Sequence, residues 1–300
     1  MASKIKIIFL GTSAQIPTAK RNHTSILLSY KEENILVDCG EGTQRQFRKA
    51  KLNPCKLTKI LITHIHGDHT FGLPGLLSTL NFSGYNKKLN IYCPKGAKKI
   101  IENFIDLKNL KNNFKIGIEE VSGKFYENEE FYLEAESMQH GIPTNAYNFV
   151  IKSKIRIDKS KLKKYKIPEG PLLKNIKEGK DIIYNNKKYK AKDLTYKEEG
   201  KKVSFVLDTL FNPKIKKFVE NADFLICDSS FSSENEKEAK EHMHLTAKQD
   251  GEIAQYAKAK KLILTHISQR YDNRLKELLY DAKTSFKNVS IAEDLDEFEI

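Results

Sequence analysis

Residues Ile62-Thr63-His64-Ile65-His66-Gly67-Asp68-His69 place four metal-competent side chains within six positions, directly after an apolar run. Only eight histidines occur in the 300 residues, and three of them fall in this H-x-H-x-D-H box. Imidazole nitrogen suits borderline cations such as zinc, and a carboxylate adds charge and can carry a proton. The preceding run, Leu57–Thr63 (LTKILIT), reads as a buried strand. Two histidines two residues apart leave a strand end on the same side. Gly67 permits a tight turn, after which Asp68 and His69 point from a different stretch of backbone. Thr70–Leu80 reads as a helix behind the loop. The box therefore sits at a strand's C-terminal end, a common place for active sites in α/β proteins.

Partners stand where other apolar runs stop. His140 follows Glu130–Met138, Asp208 ends Val203–Leu207, and His266 ends Lys261–Thr265. Alone, each is ordinary, since a single Asp-Thr can simply cap a turn. Together, His64, His66, Asp68, His69, His140, Asp208 and His266 suffice for two ions with one bridging carboxylate. His242 and His244 lie just before Thr246, which reads as the N-cap of a helix over Ala247–Lys260. Either histidine can serve as a general acid. His23 reads as structural.

Short β-rich runs alternate with helical ones. Lys4–Leu10, Ser25–Leu28, Asn34–Asp38 and Leu89–Cys93 read as one group of strands; Val203–Asp208, Phe224–Asp228 and Lys261–Thr265 read as a second. Apolar spacing predicts helices over Glu41–Ala50, Gly96–Leu107, Pro213–Asn221 and Arg274–Phe286. Periodicity alone shows an α/β mixture. The four cysteines, Cys39, Cys55, Cys93 and Cys227, form no C-x-x-C pair and read as reduced, buried thiols of a cytoplasmic protein. Met1–Gly11 is too short an apolar run for a signal peptide, and no stretch approaches a membrane span.

Charge is concentrated. Residues 152–202 hold 18 Lys and Arg against seven Asp and Glu, so they carry +11 of the formal +13. This segment lies between His140 and Asp208 and is expected to leave the core as an inserted arm within one domain spanning residues 1–300. Lys161, Lys163, Lys164 and Lys166, with Tyr165, Tyr184 and Tyr189 interspersed, suit phosphate and stacking contacts with RNA.

Four segments carry a family resemblance. They are Gly11-Thr12-Ser13-Ala14-Gln15-Ile16-Pro17-Thr18 with Arg21-Asn22; Asp38-Cys39-Gly40-Glu41-Gly42-Thr43-Gln44-Arg45-Gln46; Thr63–Gly75; and His266-Ile267-Ser268-Gln269-Arg270-Tyr271. The set resembles the metallo-β-lactamase superfamily and, more narrowly, the RNase Z family of tRNA 3′-processing endoribonucleases. The resemblance implies a four-layer αββα sandwich with a protruding basic arm that grips tRNA. It implies two zinc ions per chain, one held by His64, His66 and His140, the other by Asp68, His69 and His266, with Asp208 between them. It makes Asp68 the residue that orients and deprotonates water, matches His244 better than His242 to the acid, and gives Ser268 and Arg270 to substrate. It also implies a homodimer acting on precursor tRNA, away from membranes. Two departures stand out. The bridging Asp lies in Val206-Leu207-Asp208-Thr209-Leu210-Phe211, without the family's preceding Gly and nearby Arg, and the lysine of Pro17-Thr18-Ala19-Lys20-Arg21-Asn22 is displaced by one. Other readings of the same residues are another phosphodiesterase or hydrolase on this fold, or a non-catalytic RNA-binding protein.

Overall fold

The computed structural model describes residues 4–106 and 113–300. The chain forms two compact units: one takes the chain through Tyr126 with Leu133–Phe149 and Lys202–Ile300, the other Glu127–Tyr132 with Val150–Lys201.

Two seven-stranded sheets build the larger unit. The first runs, in spatial order, Glu297–Glu299, Ile5–Gly11, Ser25–Tyr30, Glu33–Val37, Lys59–Leu61, Leu89–Cys93 and Ile116–Glu120. The second runs Val289–Ile291, Lys261–Thr265, Phe224–Asp228, Lys201–Val206, Thr144–Ile151, Phe131–Met138 and Gly123–Glu127. Strands alternate their faces; in central strands such as Phe224–Asp228 both faces are buried and the run is apolar, whereas Phe131–Met138, nearer an edge, alternates buried and half-buried positions. Ile8 and Leu10 turn to one core, packed with Phe47, Leu76, Leu77 and Ile101 from the helices Thr43–Lys49, Leu73–Phe82 and Lys98–Asp106. Leu225, Cys227, Leu262 and Leu264 turn to a matching core with Ile215, Ile253, Ala254 and Leu278 from Pro213–Phe218, Ala247–Tyr256 and Leu275–Ser285. Aromatic rings bridge sheet to sheet: Tyr30 meets Phe149 at 5.7 Å, Tyr92 meets Phe125 at 4.8 Å and Phe224 meets Phe298 at 6.3 Å. The layers are thus helices, sheet, sheet, helices.

Several elements are shorter than their sequence suggests. The strand expected over Leu57–Thr63 is Lys59–Leu61, because Thr63 and His64 leave the ladder for the site. The helix expected over Thr70–Leu80 is two, Gly67–Thr70 and Leu73–Phe82, broken where Gly72 N–H bonds the Cys39 carbonyl at 2.9 Å. The helix expected over Ala247–Lys260 stops at Tyr256, although Thr246 does cap it. Met1–Ser3 and the expected helix end at Leu107 lie outside the described residues. Cys39, Cys93 and Cys227 are buried thiols, but Cys55 is half-exposed, since it sits in a surface turn at Pro54–Lys56. Among the described residues no helix is long and apolar enough to cross a membrane.

The smaller unit has its own core. Leu162, Ile167, Ile176, Ile182 and Leu194 are buried together, each worth about 1.5–3 kcal/mol relative to exposure. Around them stand the paired strands Lys154–Ile157 and Thr195–Glu198, the hairpin Ile182–Tyr184 and Lys187–Tyr189, and the helices Lys159–Lys164 and Leu172–Lys177. Asp158 caps the first helix through the Ser160 and Lys161 amides. Tyr165, Tyr184 and Tyr189 pack against this core, with the Tyr165 and Tyr189 rings 5.2 Å apart. These three rings are half-buried against the core, and Tyr196 is the exposed one, at 54%.

Candidate metal centre

The ends of the strands converge. His64 and His66 leave Lys59–Leu61, and His66 becomes the N-cap of the short helix that carries Asp68 and His69. Gly67 has no left-handed turn to make: it opens this helix, and a side chain there would strike the Phe71 ring at 2.4 Å. Gly40 is the glycine needed for close approach, because a Cβ would lie 2.3 Å from the Asp68 carbonyl. Asp208 and His266 both adopt left-handed backbone, with φ of 48° and 55°, as they turn off their strands.

Two four-donor groups result, sharing one residue. His64, His66, His140 and Asp208 form the first; Asp68, His69, Asp208 and His266 form the second. In the first, His64 Nε2 is 3.0 Å from His66 Nδ1, His140 Nε2 is 3.3 Å from His66 Nδ1, and Asp208 Oδ2 lies 3.5 Å from His64 Nε2 and 4.0 Å from His140 Nε2. In the second, His69 Nε2 is 3.1 Å from His266 Nε2. Asp68 Oδ2 lies 3.4 Å from His69 Nε2 and 3.3 Å from His266 Nε2, and Asp208 contacts the same nitrogens at 3.4 and 3.3 Å. A tetrahedron of bonds about 2.0–2.1 Å long has edges of about 3.3 Å. Both groups therefore fit a tetrahedral cation.

The outer nitrogens say why the inner ones are lone pairs. Asp38 accepts from the Thr63 amide, the Thr63 hydroxyl and His69 Nδ1–H, all at 2.7 Å. With its proton committed to Asp38, the Thr63 hydroxyl must accept from His64 Nδ1–H at 3.0 Å. His140 Nδ1–H donates to the Met243 carbonyl at 3.1 Å, and His266 Nδ1 lies 2.9 Å from Ser230 Oγ and 3.2 Å from Asp228 Oδ1. Outer partners of this kind fix tautomer and ring direction in metal sites. The His69 and His266 Nε2 atoms are buried and face one another at 3.1 Å while both outer nitrogens are occupied, an arrangement that a cation between them would stabilise. The Asp208 Oδ1 atom is buried with no hydrogen-bond donor, which fits the same demand.

Electrostatics agree. Burial is the largest influence on His64 and, with His69 beside it, holds its pKa well down. Burial also opposes charge on His69 and His266, yet acidic neighbours outweigh it: Asp68, Asp208 and Asp38 push His69 well up, and Asp208 and Asp228 raise His266 to about 10. Burial works against ionised Asp68 and Asp208 too, but the histidines hold both below the usual carboxylate range. The centre is a buried anionic cage that calls for positive charge.

His244 stands at its edge. Its Nδ1 lies 2.6 Å from Asp228 Oδ2, and its ring is 5.3 Å from that of His140 and 5.5 Å from that of His266. Burial resists charge on His244, but Asp228 and Asp208 raise its pKa. Asp228, His244, Asp208 and His266 also lie close enough to hold an ion. However, Asp228 already receives the Ser230 amide and hydroxyl as well as both histidines, so it acts as an anchor. His242 takes no part in the donor groups but lines the same cleft, stacked against Phe231. A cleft of about 470 Å3 opens over the centre, lined by His66, Asp68, His140, Asp208, His244 and His266, and by Ser268 and Arg270. Arg21 is buried, bonded to Thr12 Oγ1 and the Ala292 carbonyl at 2.7 Å each, and His23 Nε2 lies 3.2 Å from the Gln15 carbonyl; both belong to the framework.

The seven sequence-predicted ligand residues are thus together, with His244 beside them. Lys161, Lys163, Lys164 and Lys166 lie in the smaller unit, on and just after its capped helix. Sequence reasoning missed Asp38 and Asp228 as anchors. The signal was present: Asp228 ends an apolar run as Asp208 does, and Asp38 opens a quoted signature string.

Relatives cover the whole molecule. A ribonuclease Z from Nanoarchaeum equitans is 38% identical over 98% of this chain and 92% of its own length, and one from Listeria monocytogenes is 39% identical over 99% of both. This chain belongs to the ribonuclease Z family. Ribonuclease Z enzymes are metal-dependent phosphodiester hydrolases, and the chain is accordingly a metal-dependent endoribonuclease. A family model described as "Anti-Pycsar protein Apyc1" matches residues 5–157, the half that carries the H-x-H-x-D-H box and His140 but not Asp208, His244 or His266. Among solved structures, human tRNase Z, short form, superposes with a TM-score of 0.71 at 26% identity over 98% of both chains. The metallo-β-lactamase fold protein YhfI from Bacillus subtilis matches with a TM-score of 0.71 at 20% identity over 99% of this chain and 100% of its own, which shows the shared fold.

Proposed function

We propose that this ribonuclease Z family member removes the 3′ trailer from precursor tRNA with two zinc ions, leaving a 3′-hydroxyl on the tRNA and a 5′-phosphate on the trailer. The observation that carries the reading is the pair of four-donor groups joined at Asp208, with His244 held beside them by Asp228. His64, His66 and His140 would hold one ion and Asp68, His69 and His266 the other, with Asp208 common to both. When bound, such a pair supplies a water acidic near pH 7 and charge neutralisation at the phosphate.

The chain's own residues do the rest. Asp68 meets His69 and His266 through Oδ2, so its Oδ1 is the oxygen that orients the attacking water and takes its proton. His244, charged because Asp228 and Asp208 favour its imidazolium, donates a proton to the departing ribose O3′. Ser268 and Arg270 contact the RNA at the cleft wall. Lys161, Lys163, Lys164 and Lys166 bind phosphates of the folded tRNA away from the cut, where shape and backbone, not sequence, are read. The smaller unit, residues 152–202 in the sequence reading, is the RNA-binding arm. We place the enzyme in the cytoplasm, supported by its unpaired thiols, and read it as a homodimer on family resemblance.

The test is cleavage of a precursor tRNA with a 3′ trailer, with a chelator control and Asp68→Ala. That substitution is expected to abolish cleavage while RNA binding stays within a few-fold. Undiminished cleavage by the variant would refute the role of Asp68, and metal-free active enzyme would refute the zinc reading.

A further inference from the structure

Beyond His244 the cleft wall is made of flat groups that no metal group uses. Phe231 is at its centre. The His244 ring lies 5.9 Å away, and the His242 ring lies 6.2 Å away and parallel to Phe231 within 4°. The Arg270 guanidinium sits 5.2 Å over the Phe231 face and is pinned by Glu238 at 2.7 Å. Phe231, His242 and Arg270 all line the cleft, and His242 is exposed. Met243, between the two histidines, takes a left-handed φ of 58°. That turn sends His244 to Asp228 and leaves His242 beside Phe231.

We propose that His242 and Arg270, backed by the buried Phe231 ring, form a stacking subsite for one nucleobase, that of the nucleotide whose ribose O3′ leaves, which is the last base kept on the RNA product. The inference rests on the proposed function, in that His244 marks where the leaving O3′ sits. The base attached to that same ribose then reaches the wall directly outside His244, and the planar groups exposed on this wall are His242 and Arg270, held against the Phe231 ring. A ring face or a guanidinium plane accepts any base, because every base offers a π surface. The subsite therefore seats the nucleotide without reading its identity, as an enzyme acting on many tRNAs requires. It is a positioning contact: His242 holds the substrate and moves no proton.

The experiment compares two precursor tRNAs, one intact and one abasic at the nucleotide 5′ to the cut, with wild type, His242→Ala and His242→Tyr. Losing one base–aromatic stack costs on the order of tenfold. His242→Ala should lower kcat/KM about tenfold on the intact RNA and less than about twofold on the abasic RNA, where wild type has already lost a similar factor. His242→Tyr should recover most of the activity on the intact RNA. An equal penalty on both substrates, or no recovery by tyrosine, would overturn the subsite. Failure of wild type to process the intact precursor would instead refute the proposed function.

Discussion

Asp38 braces a histidine in each of the two four-donor groups, His69 directly and His64 through Thr63, and Asp38→Asn tests the logic of the cage. The Asp38 Oδ1 atom can remain a carbonyl acceptor for the Thr63 amide at 2.7 Å. The amide nitrogen must then replace Oδ2, which now receives the Thr63 hydroxyl and His69 Nδ1–H at 2.7 Å each. Facing an NH2 group, His69 Nδ1 has to become the acceptor, so its proton moves to Nε2, the atom it offers to the second four-donor group. Thr63 Oγ must likewise accept from the amide and turn its own proton toward His64 Nδ1, 3.0 Å away. His64 then carries its proton on Nε2, the atom it offers to the first four-donor group. One isosteric change thus puts a proton on a ligand nitrogen in each site. Outer-partner losses of this kind cost about 10–100-fold in metal affinity each. Thr63→Val cuts only the branch to His64 and leaves the Asp38–His69 bond, so it should weaken one ion alone.

The assay is metal-to-protein ratio across a chelator series, with circular dichroism to show that each variant is folded. Wild type should lose two ions together at the highest chelator strength. Thr63→Val should pass through a plateau near one ion, and Asp38→Asn should lose both about 10–100-fold earlier than wild type. Wild-type affinity in Asp38→Asn, or identical curves for the two variants, would refute the tautomer argument.

Three further outcomes are expected. His244→Asn should lower kcat by about 10²–10⁴ with metal content unchanged, since it removes a proton donor and no ligand; a parallel loss of metal in elemental analysis would make His244 a ligand instead. Replacing Lys161, Lys163, Lys164 and Lys166 together by Ala should flatten the plot of log binding constant against log salt by up to about 3 units, while hydrolysis of a small nitrophenyl phosphodiester is retained; an unchanged slope would remove these lysines from the RNA contact. Asp250 is buried, and burial, with Asp228 adding to it, holds its pKa well above the ordinary 3.8. The unfolded chain releases that proton near its ordinary value while the fold keeps it, so stability falls as pH rises above about 4, by up to about 1.4 kcal/mol per unit, until the folded group ionises. Asp250→Asn should therefore gain stability over wild type, and denaturant unfolding should show the gain growing from pH 5 to pH 7; a pH-independent difference would refute the assignment.

The clustered donors were legible because a metal restricts residue type and because the H-x-H-x-D-H box, His140, Asp208 and His266 each stand at or near the end of an apolar run. The arm was legible by its charge but not by its interior. Leu162, Ile167, Ile176, Ile182 and Leu194 are spread over some thirty positions and make a core only when folded together, which is why Tyr165, Tyr184 and Tyr189 read as exposed rings in the sequence and pack inward in the structure.

What separates Asp208, shared by the two four-donor groups, from the anchor Asp228 is strand register, and register is not written in any local string. In the second sheet Val206 is level with Cys227, and Cys227 with Leu264. Counting onward, Asp208 and His266 stand level with each other, two residues past that row, and both have turned into left-handed backbone off their strands. Asp228 is level with Thr265, one residue short, and is still inside its strand. Its carboxylate therefore reaches His266 Nδ1 and His244 Nδ1 from behind, where it fixes both rings, while Asp208 reaches the far nitrogens of four histidines. Two aspartates at the ends of neighbouring strands, alike in sequence context, take different jobs through a one-residue offset. The left-handed φ at Asp38, Asp208 and His266 is the local strain by which these turns are made, at residues where no glycine announces it.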